Sequence, residues 1–132
     1  MSNQKLFQKV KDLNLPMGKY VLFGSAPMGI RDLKKCNDID ILVTEDLFKK
    51  LQTDSKWKFK IASKGSEALE IDNIEIFKDW PDVANPQKLI DSAEIIDDLP
   101  FVNLYEVLKW KKFRSKEKDL VDIKLIEDFL KK

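Results

Sequence analysis

Residues 21–43 read VLFGSAPMGIRDLKKCNDIDILV, and how this stretch folds decides how the rest of the chain is read. The β-favouring run at 19–23 (KYVLF) stops at Gly24-Ser25, as a buried strand ends in a tight turn. Residues 26–37 carry Pro27, Gly29 and the cations Arg31, Lys34 and Lys35, and read as a loop holding one helical turn. A second strand then spans 38–44 (DIDILVT). Successive side chains on a strand alternate faces, so Asp38 and Asp40 are expected on one face while Ile39 and Ile41 point into a core.

Two carboxylates on one face repel each other unless a cation lies between them, and an all-oxygen site of this kind suits Mg²⁺ or Mn²⁺. Magnesium usually completes its shell with substrate phosphates, so the pair implies a phosphorylated substrate. Gly24 lets the backbone approach a phosphate closely, and backbone N–H groups with the Ser25 hydroxyl can donate to its oxygens. A third carboxylate is offered by Glu75, flanked by Ile74 and Ile76. Glu70, between Leu69 and Ile71, has the same local pattern, and the sequence leaves the choice between them open. Arg31, Lys34 and Lys35 could fold over a bound triphosphate, although surface solubility is the simpler account of each. Trp57, Trp80 and Trp110 could stack on a base, but tryptophans at strand and helix positions are more often core residues.

Working outward, Leu6, Val10 and Leu13 recur at helical spacing and predict an opening helix over 3–14. Thr44 can cap a helix over 45–51. Residues 57–62 alternate apolar with lysine, as a strand with one wet face does. Strands at 67–71 and 74–77 flank Asp72-Asn73, which suits a hairpin turn. Asn85-Pro86 opens a short helix to about Asp91, and 93–96 adds a short strand. Asn103 and Glu106 have capping-box spacing at the head of a helix over 104–113. Ser115 can cap a last helix through Leu130, with Leu120, Ile123, Ile126 and Leu130 as its apolar stripe. The expected architecture is one α/β (α+β) domain over 1–132, a mixed β-sheet with flanking helices and two C-terminal helices.

Composition narrows the chemistry. There is no histidine among the 132 residues, which excludes histidine-based triads and histidine metal sites. Cys36 is the single cysteine, so an intramolecular disulfide and a multi-cysteine zinc site are impossible, and a cytoplasmic setting is expected. No stretch approaches the ~20 apolar residues of a membrane span, so no membrane partner is expected. With 24 basic and 23 acidic residues, the net charge of +1 gives no field for a general nucleic-acid ligand.

The segment VLFGSAPMGIRDLKKCNDIDILV resembles the nucleotidyltransferase superfamily, the DNA polymerase beta-like fold, whose signature is a strand, Gly-Ser, a loop and Asp-x-Asp on the next strand. KWKKFRSKEKDLVDIKLIEDFL is similar to the closing helices of its small bacterial and archaeal members. The resemblance implies two metal ions held by Asp38, Asp40 and a third carboxylate, here Glu75, where the family more often has Asp. It further implies transfer of an NMP group from an NTP to an acceptor hydroxyl, with magnesium as cofactor. Gly24, Ser25, Arg31, Lys112 and Lys118 are then the candidate nucleotide-binding residues. Lys109 and Arg114 could also reach phosphates, while Asp119 and Asp122 look like internal partners of the cations. The alternative is a non-catalytic nucleotide- or partner-binding member, a toxin-antitoxin-like component working beside a helical protein or as a homo-oligomer. The acceptor and the preferred base are not legible in the sequence.

Overall fold

The computed structural model describes residues 1–62, 65–80, 83 and 85–132. Among the described residues the β-structure is one seven-stranded mixed sheet. In chain order the strands are β1 (Tyr20–Phe23), β2 (Ile39–Val43), β3 (Lys58–Ile61), β4 (Glu67–Ile71), β5 (Ile74–Phe77), β6 (Glu94–Ile96) and β7 (Leu99–Phe101). Across the sheet they run β3-β4-β5-β2-β1-β7-β6. The neighbours β1–β7 and β2–β5 pair in parallel, whereas β1–β2 pair antiparallel. Among the described residues the helices are α1 (Asn3–Asp12), α2 (Ala26–Gly29), α3 (Glu45–Gln52), α4 (Pro86–Asp91), α5 (Leu104–Arg114) and α6 (Glu117–Leu130).

Both faces of the central strands are covered, which is why they read as nearly continuous apolar runs. Leu22, Ile39, Ile41 and Ile76 pack on one face with Leu6 and Phe7 of α1 and Leu47 and Phe48 of α3. Val21, Phe23, Leu42 and Phe77 pack on the other with Leu89 of α4, Val107 of α5 and Ile126 of α6. Each fully buried side chain of this size contributes about 1.5–3 kcal/mol. Ile39, Ile41, Leu42 and Val43 are all 0% exposed, so β2 can carry Asp40 in mid-sheet at a net gain.

Side-chain caps fix three of the helix starts among the described residues as the sequence suggests. Thr44 accepts from the Leu47 N–H at 3.4 Å, Asn85 from Lys88 at 3.3 Å and Asn103 from Tyr105 at 2.8 Å. Asp72 makes the β4–β5 turn with φ of +49°, a conformation that Asp tolerates better than most residues.

Four expectations need correction. Asp38 lies one residue before β2 and is exposed, so the strand begins at Ile39. Ser115 does not cap the last helix. It closes α5 in a left-handed conformation (φ +47°) with its hydroxyl donating to the Lys112 carbonyl, and the cap of α6 is Lys116. The inward stripe of α6 is Asp119, Asp122, Ile126 and Phe129; Ile126 is buried and Leu130 packs on the core as expected, but in the first half of the helix the two aspartates take the inward positions and Leu120 is 60% exposed. The cause is electrostatic, because Arg114, Lys111 and Lys34 meet the two aspartates and make their burial tolerable. Finally, β7 was not anticipated. It is three residues long and contains Pro100, a residue that argues against a strand, and it is joined to β6 by Asp97-Asp98, both at positive φ.

Candidate functional site

The Gly-Ser turn and the aspartate strand meet in register. Phe23, the last residue of β1, pairs with Asp40 of β2, and Gly24 continues the chain past the Asp40 carboxylate with φ of +65°. A Cβ at position 24 would fall 2.8 Å from Asp40 Oδ2, so the backbone angle favours glycine and any side chain there would have to displace the carboxylate. Ser25 follows at the head of α2, and its hydroxyl makes no capping bond. Its carbonyl accepts from the Gly29 N–H at 2.9 Å and from the Cys36 thiol at 3.5 Å.

The acidic residues line up across the sheet. Asp40 of β2 pairs with Glu75 of the parallel strand β5, and Glu75 pairs with Glu70 of β4. Both candidates for the third carboxylate are therefore on the same face, with Glu75 the one adjacent to Asp40. Lys60 of β3 lies over them and donates to Glu70 at 2.6 Å, with Glu75 Oε1 at 3.2 Å. Hydrogen bonding to Glu70, above all, raises the Lys60 ammonium above its ordinary value. Burial, then the charges of Asp38 and Glu75, push the Asp40 carboxyl up to about 7, against a smaller opposing pull from Lys60.

Among the described residues, no group of three Asp, Glu or Cys side chains is already gathered around a point where a metal ion could sit. The donor chemistry nonetheless fits a hard divalent cation. Asp38, Asp40 and Glu75 offer only carboxylate oxygens, and their mutual repulsion at Asp40 is what such a cation would relieve.

Gly24, Ser25 and Asp40 open onto a pocket of about 690 Å³ whose far wall is built by α5 and α6. Lys34, Lys111, Arg114, Lys116 and Lys118 line it. Several of these cations are held in place by buried acids. Arg114 donates to both oxygens of Asp119, at 2.7 and 2.9 Å, and Asp119 is 0% exposed. Lys34 and Lys111 each reach Asp122 Oδ2 at 2.9 Å. The Arg114 hydrogen bonds hold the Asp119 carboxyl far below the usual carboxylate range. Burial raises Asp122, but the Lys111 and Lys34 hydrogen bonds outweigh it and the net direction is down. Lys118 makes no ion pair among the described residues and is available to an anion.

Not every residue singled out in the sequence comes to this place. Arg31 is turned inward: its guanidinium donates to the Pro27 carbonyl at 2.7 Å and to Glu94 at 3.1 Å. Lys112 pairs with Glu127 at 3.1 Å, outside the pocket wall. Lys109 and Lys35 are likewise outside it, and Trp57 is a core residue. Asp119 and Asp122 are internal partners of the cations. The sequence reading passed over Lys111 and Lys116. Helical spacing could have found Lys111, since Val107, Lys111 and Arg114 share one face of α5.

The chain matches no model of a known protein family and no curated protein. What the site does must therefore be read from its side chains.

Proposed function

We propose that this protein is a magnesium-dependent nucleotidyltransferase that moves an NMP group from an NTP to an acceptor hydroxyl. The observation that carries the proposal is the register of Asp40 beside Glu75, with Gly24 packed on the Asp40 carboxylate at the mouth of a cation-lined pocket. Asp38, Asp40 and Glu75 would hold the metal, with Glu70 as the neighbouring alternative to Glu75. Mg²⁺ or Mn²⁺ bound there would neutralise phosphate charge and make the acceptor hydroxyl more acidic.

The chain's own groups supply positioning and charge. Lys118, Lys116 and Arg114 face the pocket and draw the triphosphate in, while the Gly24-Ser25 turn lets phosphate oxygens approach the backbone. Glu75 would hold the metal or help accept the proton of the attacking hydroxyl. The acceptor oxygen then bonds to the α-phosphorus, the bond from the α-phosphorus to the bridging oxygen breaks, and pyrophosphate leaves. Neutral-pH chemistry without histidine suits this reaction, because positioning and charge neutralisation do most of the work.

The experiment is transfer of label from α-phosphate-labelled NTP into candidate acceptors, comparing the protein with Asp38→Ala. Labelled product that disappears in the variant supports the assignment, and an active Asp38→Ala protein sinks it.

A second reading, a non-catalytic nucleotide- or partner-binding component, is favoured by one observation. Phe113 is 90% exposed, and Leu120 and Val121 of α6 are 60% and 65% exposed, large apolar side chains that a helical protein or a second copy would cover. Gel filtration and pull-down that show a lone monomer with turnover would remove this reading. No helix among the described residues is long and apolar enough to cross a membrane. We place the protein in the cytoplasm because its single thiol, Cys36, is free and buried.

A further inference from the structure

Two chemically different sets of side chains line the pocket beside Asp40: the cations, and the aromatic residues Phe23, Trp80, Trp110 and Phe113. The aromatic set is braced by ring contacts. Phe23, Phe77 and Trp80 contact one another edge to face, with centroids 5.9, 5.6 and 5.0 Å apart. Trp110 and Phe113 stand three residues apart on α5, so their rings project on the same side, and Phe113 at 90% exposure forms the rim.

The polar complement of this pocket is equally informative. Among the described lining residues the uncharged side chains with hydrogen-bonding capacity are Ser25 and the indole N–H groups of Trp80 and Trp110; no Asn, Gln or Thr is present. Stacking on an aromatic ring is indifferent to the hydrogen-bonding edge of the base, whereas bidentate readout of an edge takes groups such as Asn and Gln.

We infer that the aromatic set, centred on Trp110 and Phe113, binds the nucleobase by stacking and reads ring size, making the protein permissive among NTPs with purines bound tighter than pyrimidines. This rests on the nucleotide reading above. Stacking tolerates any base because every base presents a π-face, and the larger purine ring covers more of the aromatic surface. Phosphates on Lys118 and Arg114 then leave the base directed along α5.

The test is calorimetric binding of ATP, GTP, CTP, UTP and inorganic tripolyphosphate to the intact protein in Mg²⁺. ATP and GTP should bind within about threefold of each other, more tightly than CTP and UTP, and roughly tenfold or more tighter than tripolyphosphate. Trp110→Ala should bring ATP down to the tripolyphosphate affinity, and Trp110→Phe should retain most of the advantage. Phe113→Ala, at an exposed position that should leave folding intact, should lose part of it. Tripolyphosphate binding as tightly as ATP, selection of one base by about a hundredfold, or unchanged ATP affinity in both alanine variants would each overturn the inference. Tripolyphosphate binding with no gain from any base defeats stacking alone. Absence of binding by every probe defeats the nucleotide reading and the inference with it.

Discussion

Gly24 and Asp40 are in direct apposition: a methyl group at position 24 would fall 2.8 Å from Asp40 Oδ2, while the backbone there is left-handed at φ +65°. Gly24→Ala should therefore cost about 1–2 kcal/mol from the backbone alone. It should also displace the carboxylate that faces the pocket. Thermal unfolding and Mg²⁺-NTP titration of this variant should show a lower Tm and weaker binding together. Wild-type values for both would mean that the turn does not support the site.

Asp40 weakens the fold that positions it. Its carboxyl is raised from 3.8 to about 7, so the folded state holds the proton more tightly than the unfolded state does. Its contribution is favourable at low pH and is lost as pH rises across that window. Asp40→Asn removes the charge, and in EDTA at pH 8 it should be more stable than wild type by at most about 4 kcal/mol. Near pH 4 the two should differ little. Denaturant unfolding at both pH values checks this, and a variant less stable than wild type at pH 8 would contradict it.

Asp119 works in the opposite sense. Its carboxyl is depressed by Arg114, so the stabilisation is present above the ordinary carboxylate range and is lost as pH falls below it. Asp119→Asn removes the buried charge that Arg114 grips with both of its hydrogen bonds, while Lys111 keeps Asp122, and breaking such a buried pair costs about 3–5 kcal/mol. A Tm drop of roughly 10 °C or more is expected at pH 7, with a smaller further loss on acidification than wild type shows. A Tm within about 2 °C of wild type would show that α5 and α6 do not depend on this pair.

Neighbouring cations should separate by where they point. Lys118 lines the pocket, whereas Lys112 is paired with Glu127 outside it. Lys118→Ala should weaken Mg²⁺-NTP binding several-fold, and Lys112→Ala should leave it within about twofold. Equal losses in the two variants would mean a diffuse field with no defined contact.

The strand–Gly-Ser–loop–Asp-x-Asp order was legible because each part has a local signature: an apolar run, a positive-φ glycine and alternating faces. Six of the seven strands among the described residues, the β4–β5 hairpin and the caps at Thr44, Asn85 and Asn103 follow from spacing and side-chain chemistry alone; β4 and β5 have their expected spans, and β1, β2, β3 and β6 are each shorter by a residue at one or both ends. The site was legible to the extent that it is local. That Glu75, not Glu70, is the register partner of Asp40 depends on β2 and β5 pairing in parallel across more than thirty residues, which no short window contains. The inward face of the first half of α6 is not legible for a related reason. Periodicity favours the apolar stripe through Leu120, but the ion pairs reaching Asp119 and Asp122 come from α5 and from Lys34, and they turn the carboxylates inward. Likewise Arg31 is taken up by Glu94 on the edge strand β6, a partner 63 residues away.

The most direct test of the central claim is isothermal titration of ATP, GTP, CTP and UTP into the protein with and without Mg²⁺, beside the Asp38→Ala/Asp40→Ala double variant. Binding of NTP that requires Mg²⁺ and vanishes in a folded double variant is the expected result. Binding that ignores the metal or survives loss of both aspartates would contradict a site built on Asp38 and Asp40, and no binding by wild type would leave the fold serving a partner instead of a nucleotide.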